Sequence, residues 1–183
     1  MKSTSILFVN LPTMTYTEME NKLRKVSKPD NQFIYPTKAI PINILYLSSY
    51  LKEQFGTSLN QSIADYADMV ETLDNYDSVD DFILSIAKKS INNQPDIVAI
   101  SLMFMLAYKF FKNIVRIYRS FWPNSTFVVG GIHATNTAKH ILQTTDIDYV
   151  FRGEGEVSFA KFVRNYIDGQ KQNIQGVYSK SDL

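Results

Sequence analysis

The sequence predicts an α/β domain with a three-layer, doubly wound sheet of five parallel strands, a flavodoxin-like (Rossmann-like) fold with strand order 2-1-3-4-5. Short continuous apolar runs are typical of strands buried on both faces, and segments with helical spacing separate them. Such alternation indicates parallel strands joined by right-handed crossovers, with helices on both faces of the sheet. For five units, 2-1-3-4-5 is a common strand order.

Apolar runs mark the strands. A continuous run opens the chain, and three others precede or follow turn residues such as Pro95 and the glycine pair Gly130-Gly131. A further run is weaker because polar residues interrupt it. The predicted strands are residues 5–10, about 59–65, 96–101, 126–129 and 148–151.

Apolar side chains at helical spacing mark the helices between the strands. Pro41 precedes one stripe near its first turn and Gly56 closes it, which are typical start and stop signals. Ser78 opens another stripe, with Asp81 three residues on in a pattern similar to a capping box. The predicted helices cover residues 44–55, 79–91, 110–121, about 136–143 and 159–167.

We interpret residues 1–183 as a single domain with its core at about residues 4–168. The connection from residue 11 to residue 40 is unusual, because a βα loop in such a fold takes about 2–6 residues. It is either a functional flap or a disordered segment.

Composition excludes several classes of function. The formal net charge of +1 gives no basic excess to attract a nucleic acid, so we expect no nucleic-acid partner. The absence of cysteine excludes disulfides, thiolate zinc sites and a cysteine-bound iron–sulfur cluster within this chain. No apolar run approaches the roughly 20 residues of a membrane span, and the start does not resemble a secretory signal. We therefore expect a soluble, cytoplasmic protein that binds no membrane.

Ligands of doubly wound sheets bind outside the carboxyl ends of the strands. Adjacent glycines at such an end allow a ligand to approach closely or simply form a tight turn, and both readings are open. Carboxylates after the last strand would repel a phosphate there. The candidate binding residues that follow the strands are Asn10, Leu11, Pro12, Ser101, Leu102, Met103, Phe104, Gly130, Gly131, Ile132, His133, Gly153, Glu154 and Gly155.

Several segments, in this order and spacing, carry a family resemblance. They are residues 6–12, 41–52 (PINILYLSSYLK, against P-x-G-L-x-Y-L-A-x-Y-L), 95–101, 130–135, 148–156 and 176–178. Together they resemble the cobalamin (B12)-binding domain that precedes the radical S-adenosylmethionine barrel in one enzyme class. That class includes Fe-S oxidoreductases and the anaerobic magnesium-protoporphyrin IX monomethyl ester cyclase. Asn43 replaces the family's usual glycine, which we interpret as affecting only a helix start.

The resemblance implies that this chain binds cobalamin, with the nucleotide tail passing Ser101 and the two glycines and the corrin lying over the strand ends. Other cobalamin modules supply a lower histidine ligand from D-x-H-x-x-G, but residues 10–15 contain neither Asp nor His. The resemblance therefore implies base-off binding without a histidine from that loop. S-adenosylmethionine and a [4Fe-4S] cluster are expected only in an absent C-terminal radical S-adenosylmethionine barrel of the same polypeptide, the expected partner. The parent would be a methyltransferase, a cyclase or a related enzyme, whereas the isolated chain is not expected to be catalytic.

The two histidines suggest no metal site, because neither has a second ligand at metal-binding spacing. His133 either touches the nucleotide tail or is held by the backbone of its loop, the interpretation we favour, and His140 belongs to a helix surface. Other side chains have two readings, as part of the site or as ordinary packing. They are Met103, Phe104, Met105, Phe110 and Phe111 as a bed for the benzimidazole, and Tyr35, Tyr46 and Tyr50 at the mouth.

The sequence is also compatible with two other functions. Hydroxyl side chains at residues 13–17 are similar to the phosphate loop of FMN-binding flavodoxin-like domains, although the loop lacks a glycine and we expect no helix directly after it. The other alternative is a cofactor-free docking module of a larger enzyme.

Overall fold

A computed structural model describes residues 3–24, 40–170 and 172–183 of the chain. Its centre is a sheet with the strand order β2-β1-β3-β4-β5-β6. The strands are β1 (Thr4–Asn10), β2 (Leu59–Asp65), β3 (Ile97–Ser101), β4 (Thr126–Gly130), β5 (Tyr149–Phe151) and β6 (Val177–Ser179). The helices are α1 (Tyr16–Leu23), α2 (Ile42–Phe55), α3 (Tyr66–Met69), α4 (Val79–Ser90), α5 (Tyr108–Phe121), α6 (Ile132–Thr144) and α7 (Glu156–Asp168).

The predicted doubly wound fold and the order of its first five strands are confirmed. β1 to β5 pair in parallel. The topological switch point, where the order of the strands reverses direction, lies between β1 and β3. The sixth strand was not predicted: β6 pairs antiparallel to β5, with Tyr178 opposite Val150. β6 has only three residues and is partly exposed, so the sequence contains no continuous apolar run from which this strand could be predicted.

Alternate strand residues point to opposite faces of the sheet, as the pleat requires. Leu7 and Val9 belong to one apolar cluster, to which α4, α5 and α6 contribute together with α1 and α3. Ile6 and Phe8 belong to the other, which α2 and α7 cover. The face under α2 and α7 is the one that bears the candidate site.

The long connection after β1 differs from the prediction, because part of it is helical. Thr15 caps α1: its hydroxyl accepts from the backbone N–H of Glu18, and the Glu18 carboxylate accepts from the backbone N–H of Thr15. Met19 and Lys22 of this helix are buried. Residues 25–39, and with them Tyr35 and half of the predicted flap, lie outside the described part of the chain.

The helix after β4 also differs from the prediction, which placed its start near residue 136. α6 begins at Ile132, directly after Gly131, whose φ of 112° turns the chain from strand to helix in one residue. His133 therefore lies in the first turn of a helix and not in a loop.

Within the described ranges, no helix is long and apolar enough to span a membrane. The same residues contain no group of three or more His, Cys, Asp and Glu side chains that could hold a metal ion.

Candidate functional site: a cleft at the carboxyl edge of the sheet

A cleft of about 460 Å³ opens at the carboxyl ends of β3, β4 and β5 and runs between the sheet and helices α2 and α7. Its inner wall is apolar and its mouth is polar or lacks side chains. The lining residues are Phe8, Asn43, Ile44, Leu47, Ala99, Ile100, Ser101, Met103, Val128, Gly130, Gly131, Ile132, Thr135, Asn136, Phe151, Gly153, Glu154, Gly155, Glu156 and Phe159.

The cleft exists because side chains on this face become smaller toward the carboxyl edge. Along β3 the face carries Ile97, Ala99 and Ser101, and along β4 it carries Val128 and then Gly130. Ser101 and Gly130 are cross-strand partners, so the smallest side chains of the two strands lie side by side. The space that larger residues would fill stays open to a ligand.

The two adjacent glycines have different structural roles. A Cβ on Gly131 would lie 2.6 Å from the carbonyl oxygen of Leu102, and the residue has a left-handed φ of 112°, so only glycine fits there. A Cβ on Gly130 would meet Cβ of Phe151 at 3.6 Å, an ordinary van der Waals distance. The fold therefore requires Gly131, whereas the absence of a side chain at Gly130 is needed only to keep the cleft open.

Two hydrogen bonds order polar side chains along the edge. Nδ2 of Asn43, in the first turn of α2, donates to Oγ of Ser101 at 2.7 Å. Nδ2 of Asn10 donates to Oδ1 of Asp65 on the neighbouring strand at 2.8 Å. The interpretation that Asn43 affects only a helix start was thus wrong: its side chain crosses to β3 and lines the cleft.

A second, smaller cavity of about 130 Å³ lies over the switch point between β1 and β3. Asn43, Ser101 and Met103 line both cavities and form the wall that they share. The other lining residues of the smaller cavity are Asn10, Leu11, Pro12, Thr13, Ile40, Pro41, Ala67, Phe104 and Ala107.

The charge of the cleft is negative at its mouth. Glu154 and Glu156 are the charged side chains among its described lining residues, and no lysine or arginine is among them. The backbone partly offsets this, because α6 and α7 begin at the cleft with Gly131 and Gly155 as N-caps and without a side-chain cap. Among the lining residues that the structure describes, a dianionic phosphate would find no cationic side chain.

Most of the sequence-predicted site residues lie in one of the two cavities. Two do not. The side chain of Leu102 is fully buried in the core on the opposite face, so that only its backbone supports the site. The ring of His133 packs edge-on against Tyr108 at 5.7 Å between centroids and lines neither cavity.

Only some of the side chains that were predicted as an apolar bed for the benzimidazole line a cavity. Met103 lines both cavities and Phe104 lines the smaller one, whereas Phe110 and Phe111 are fully buried in the core and cannot contact a ligand. Met105 is 72% exposed and Tyr46 is 65% exposed, outside the cleft.

The deep wall of the cleft was missed by sequence reasoning. Phe8, Val128, Phe151 and Phe159 looked like ordinary core residues, and their strands gave no sign that the core is incomplete there. One signal was available: Ala99 is the single small side chain within the apolar run of β3.

The flavodoxin alternative can be judged at the N-terminus of α1. A helix does follow residues 13–15, contrary to expectation, but the Glu18 carboxylate already accepts hydrogen bonds from the backbone N–H and the hydroxyl of Thr15, each at 2.8 Å. A phosphate placed there would meet a negative charge, so this helix start does not favour FMN.

The fold and this cleft define the class of the protein: a doubly wound α/β domain that offers a ligand an apolar cleft with a negatively charged mouth at its carboxyl edge. Residues 35–163 match the family model of the B12 binding domain, which covers most of the chain. The chain belongs to the B12-binding domain family. No curated protein sequence matches it.

Solved structures share the fold. The radical S-adenosylmethionine methyltransferase TsrM from Kitasatospora setae, with cobalamin and a [4Fe-4S] cluster bound, superposes with a TM-score of 0.68 at 15% identity over 97% of this chain and 27% of TsrM. The cobalamin-dependent S-adenosylmethionine radical enzyme OxsB, with aqua-cobalamin and S-adenosylmethionine bound, gives 0.62 at 18% identity over 96% of this chain and 20% of OxsB. The chain thus spans between a fifth and about a quarter of these larger proteins.

Proposed function

We propose that this chain binds cobalamin base-off, with the nucleotide tail in the cleft and the corrin over the carboxyl ends of the strands. The observation that carries the proposal is the open path beside Ser101 and Gly130, which leads from the edge of the sheet into the space under α2 and α7. Membership of the B12-binding domain family supports cobalamin as the ligand.

The cleft suits the tail in size and in chemistry. Its volume of about 460 Å³ falls in the range of small-molecule sites, roughly 300–1,000 Å³. Phe8, Val128, Phe151 and Phe159 offer apolar walls to a flat aromatic base, while Ser101 and Asn43 offer polar atoms at the mouth. The uncapped start of α6 favours the single negative charge of a phosphodiester, whereas Glu154 and Glu156 oppose it at the start of α7.

The segment after β1 supports binding without a lower histidine ligand. Asn10 is hydrogen-bonded to Asp65, and Leu11 and Pro12 are buried beside the smaller cavity. The histidines lie elsewhere, since the rings of His133 and His140 both pack against Tyr108. Cobalamin, when bound, would supply the methyl-transfer or redox chemistry of its cobalt, and this chain would hold and orient it.

Exposed apolar side chains surround the cleft at the helix starts and at the loop after β3. They are Ile40, Ile42, Phe104, Met105, Leu106, Ile132 and Val157, each more than half exposed. A rim of this kind is typical of a surface that is covered by a ligand or a partner. We assign it to the corrin and to a C-terminal radical S-adenosylmethionine barrel of the same polypeptide, which would carry S-adenosylmethionine and the [4Fe-4S] cluster.

Two observations support such a partner. This chain spans only 27% of TsrM and 20% of OxsB. It also contains no cysteine, so a [4Fe-4S] cluster with cysteine ligands would have to be bound outside it. We propose that residues 1–183 form one cobalamin-binding domain and that the whole protein is a methyltransferase or a related enzyme. β6 extends the proposed core of residues 4–168 toward the C-terminus by pairing with β5.

Titration of the chain with hydroxocobalamin, followed by visible absorption and calorimetry, tests the cofactor. We expect saturable binding and a base-off spectrum. FMN serves as the parallel control, and we expect it to give no heat of binding. Binding of FMN alone would favour the flavodoxin alternative, and no binding of either compound would favour the docking module.

Electron paramagnetic resonance of the bound cob(II)alamin tests the lower ligand separately. A nitrogen ligand below cobalt splits the cobalt lines further, because the unpaired electron couples to its nuclear spin. We expect no such splitting in the complex. A nitrogen splitting would contradict base-off binding without a histidine.

A further inference from the structure

The amide of Asn43 decides which way the hydroxyl hydrogen of Ser101 can point. Nδ2 of Asn43 can only donate hydrogen bonds, so Oγ of Ser101 is the acceptor in the 2.7 Å bond between them. The hydroxyl hydrogen is then left for a different acceptor. No other hydrogen bond joins the side chain of Ser101 to the residues that the structure describes.

The position of the pair makes this hydrogen available to a ligand. Ser101 lies on the cleft face of β3, two residues after Ala99, and its cross-strand partner is Gly130. Both members of the pair line the large cleft and the smaller cavity, so they stand where a ligand would pass from one to the other. Asn43 comes from α2, a different layer, and therefore orients Ser101 from outside its own strand.

We propose that Asn43 is a positioning residue that makes Ser101 a hydrogen-bond donor to the nucleotide tail of cobalamin. The inference rests on the proposed function and deepens it: the pair recognises the tail, whose ring nitrogen, ribose and phosphate oxygens are acceptors, and not the corrin. Without the amide, the Ser101 hydroxyl is free to rotate and to exchange its role with water. The pair thus distinguishes cobalamin from a corrin that lacks the tail.

Two ligands and four variants test this. Hydroxocobalamin is compared with aquacobinamide, the same corrin without the nucleotide tail, by absorption titration of the chain. Asn43→Ala removes the amide, and Ser101→Ala removes the hydroxyl. Asn43→Asp keeps the shape but turns the donor into an acceptor, so the Ser101 hydrogen is drawn to the carboxylate. The fourth variant combines Asn43→Ala with Ser101→Ala.

We expect Asn43→Ala, Asn43→Asp and Ser101→Ala each to weaken hydroxocobalamin binding by about tenfold, the effect of one hydrogen bond, and to leave aquacobinamide binding unchanged. The double variant should be no weaker than Ser101→Ala alone. A purely structural role for Asn43 would not produce this pattern, since aspartate in the first turn of a helix is favourable. Thermal unfolding of each variant establishes that the fold is intact.

Equal losses for both ligands, full affinity of Asn43→Asp for hydroxocobalamin, or an undiminished effect of Asn43→Ala in the Ser101→Ala background would overturn the inference. If the unaltered chain binds both ligands equally, cobalamin binding stands and recognition of the tail by this pair does not. If the unaltered chain binds neither, the proposed function fails together with the inference.

Discussion

The backbone of Gly131 lies so close to the carbonyl group of Leu102 that a Cβ on Gly131 would be 2.6 Å from the carbonyl oxygen. The backbone N–H of Ala134 also donates to that oxygen, at 3.4 Å. This contact fixes the first turn of α6 against the end of β3. The two elements that frame the mouth of the cleft are thereby held together.

Replacement of the two glycines by alanine should therefore have unequal effects on stability. Gly131→Ala introduces a clash and a strained φ, so we expect the free energy of unfolding to fall by about 1–3 kcal/mol. Gly130→Ala adds a methyl group at an ordinary contact distance from Phe151, so we expect little change or a small gain. Urea unfolding measures both, and equal losses would contradict the distinct roles of the two residues.

Replacement of Gly130 by leucine should weaken cobalamin binding without unfolding the protein. The larger side chain would fill the mouth of the cleft beside Ser101 and displace the proposed nucleotide tail, so we expect affinity for hydroxocobalamin to fall by at least about tenfold. Calorimetry measures the affinity, and far-ultraviolet circular dichroism controls for the fold. Unchanged affinity would place the ligand outside this cleft.

The parts of the fold that follow from side-chain periodicity were predictable. The run around Val98 and the stripe closed by Gly56 correspond to β3 and α2, because burial on both faces or on one helix face leaves a pattern in the sequence. β6 left no pattern, since its three residues are held by pairing with β5. The start of α6 was misplaced because the turn at Gly131 depends on its contact with Leu102, which is distant in the sequence.

The candidate site was predictable at its rim and not in its depth. Topology alone brings Ser101 and Gly130 together at the carboxyl edge. The hydrogen bond from Asn43 could not be foreseen, because it depends on where the first turn of α2 lies relative to β3. His133 was misplaced for a similar reason: only the packing of α6 on α5 shows its ring against Tyr108.

A buried pair of tyrosines on the opposite face provides a stability test that is independent of the cleft. The Tyr66 hydroxyl donates to the carbonyl of Ile83 at 2.7 Å, so Tyr118 donates to Tyr66 in the 2.6 Å bond between them. Tyr66→Phe leaves the buried Tyr118 hydroxyl without its partner and removes the side-chain bond to the Ile83 carbonyl, so it should cost about 1–3 kcal/mol. Tyr118→Phe leaves the bond to Ile83 intact and should cost about 0.5–1.5 kcal/mol. Denaturant unfolding that gives the opposite order would contradict this direction of donation.

The same pair should make the protein sensitive to alkali. Burial raises the pKa of Tyr118, and burial together with the neighbouring Tyr118 raises the pKa of Tyr66 well above its usual value. Since the folded-state pKa values exceed the unfolded value of about 10, this contribution to stability is complete below pH 10 and is lost as the pH rises above it. We expect Tyr118→Phe to flatten the fall in melting temperature above about pH 10. Parallel pH profiles of variant and unaltered chain would contradict the prediction.

Arg119 should contribute to stability without contributing to binding. Its guanidinium group donates to the carbonyls of Ser125 and Asp146 and to Oδ2 of Asp148, at 2.9, 2.6 and 2.8 Å, and lies 4.1 Å from the ring centre of Phe127. The ammonium group of a lysine cannot reach these three acceptors with the geometry of a planar guanidinium group. We therefore expect Arg119→Lys to lower the free energy of unfolding by about 1–3 kcal/mol. Its affinity for hydroxocobalamin should equal that of the unaltered chain, which makes it the matched control for Gly130→Leu. Reduced affinity of the folded variant would contradict this separation.

The most direct test is a crystal structure of the chain grown with hydroxocobalamin. We expect the benzimidazole of the nucleotide tail between the sheet and helices α2 and α7, against Phe8 and Val128, with Ser101 and Gly130 beside the tail and the corrin over the strand ends. A complex in which the base still coordinates cobalt and the cleft holds no part of the ligand would contradict the proposed function.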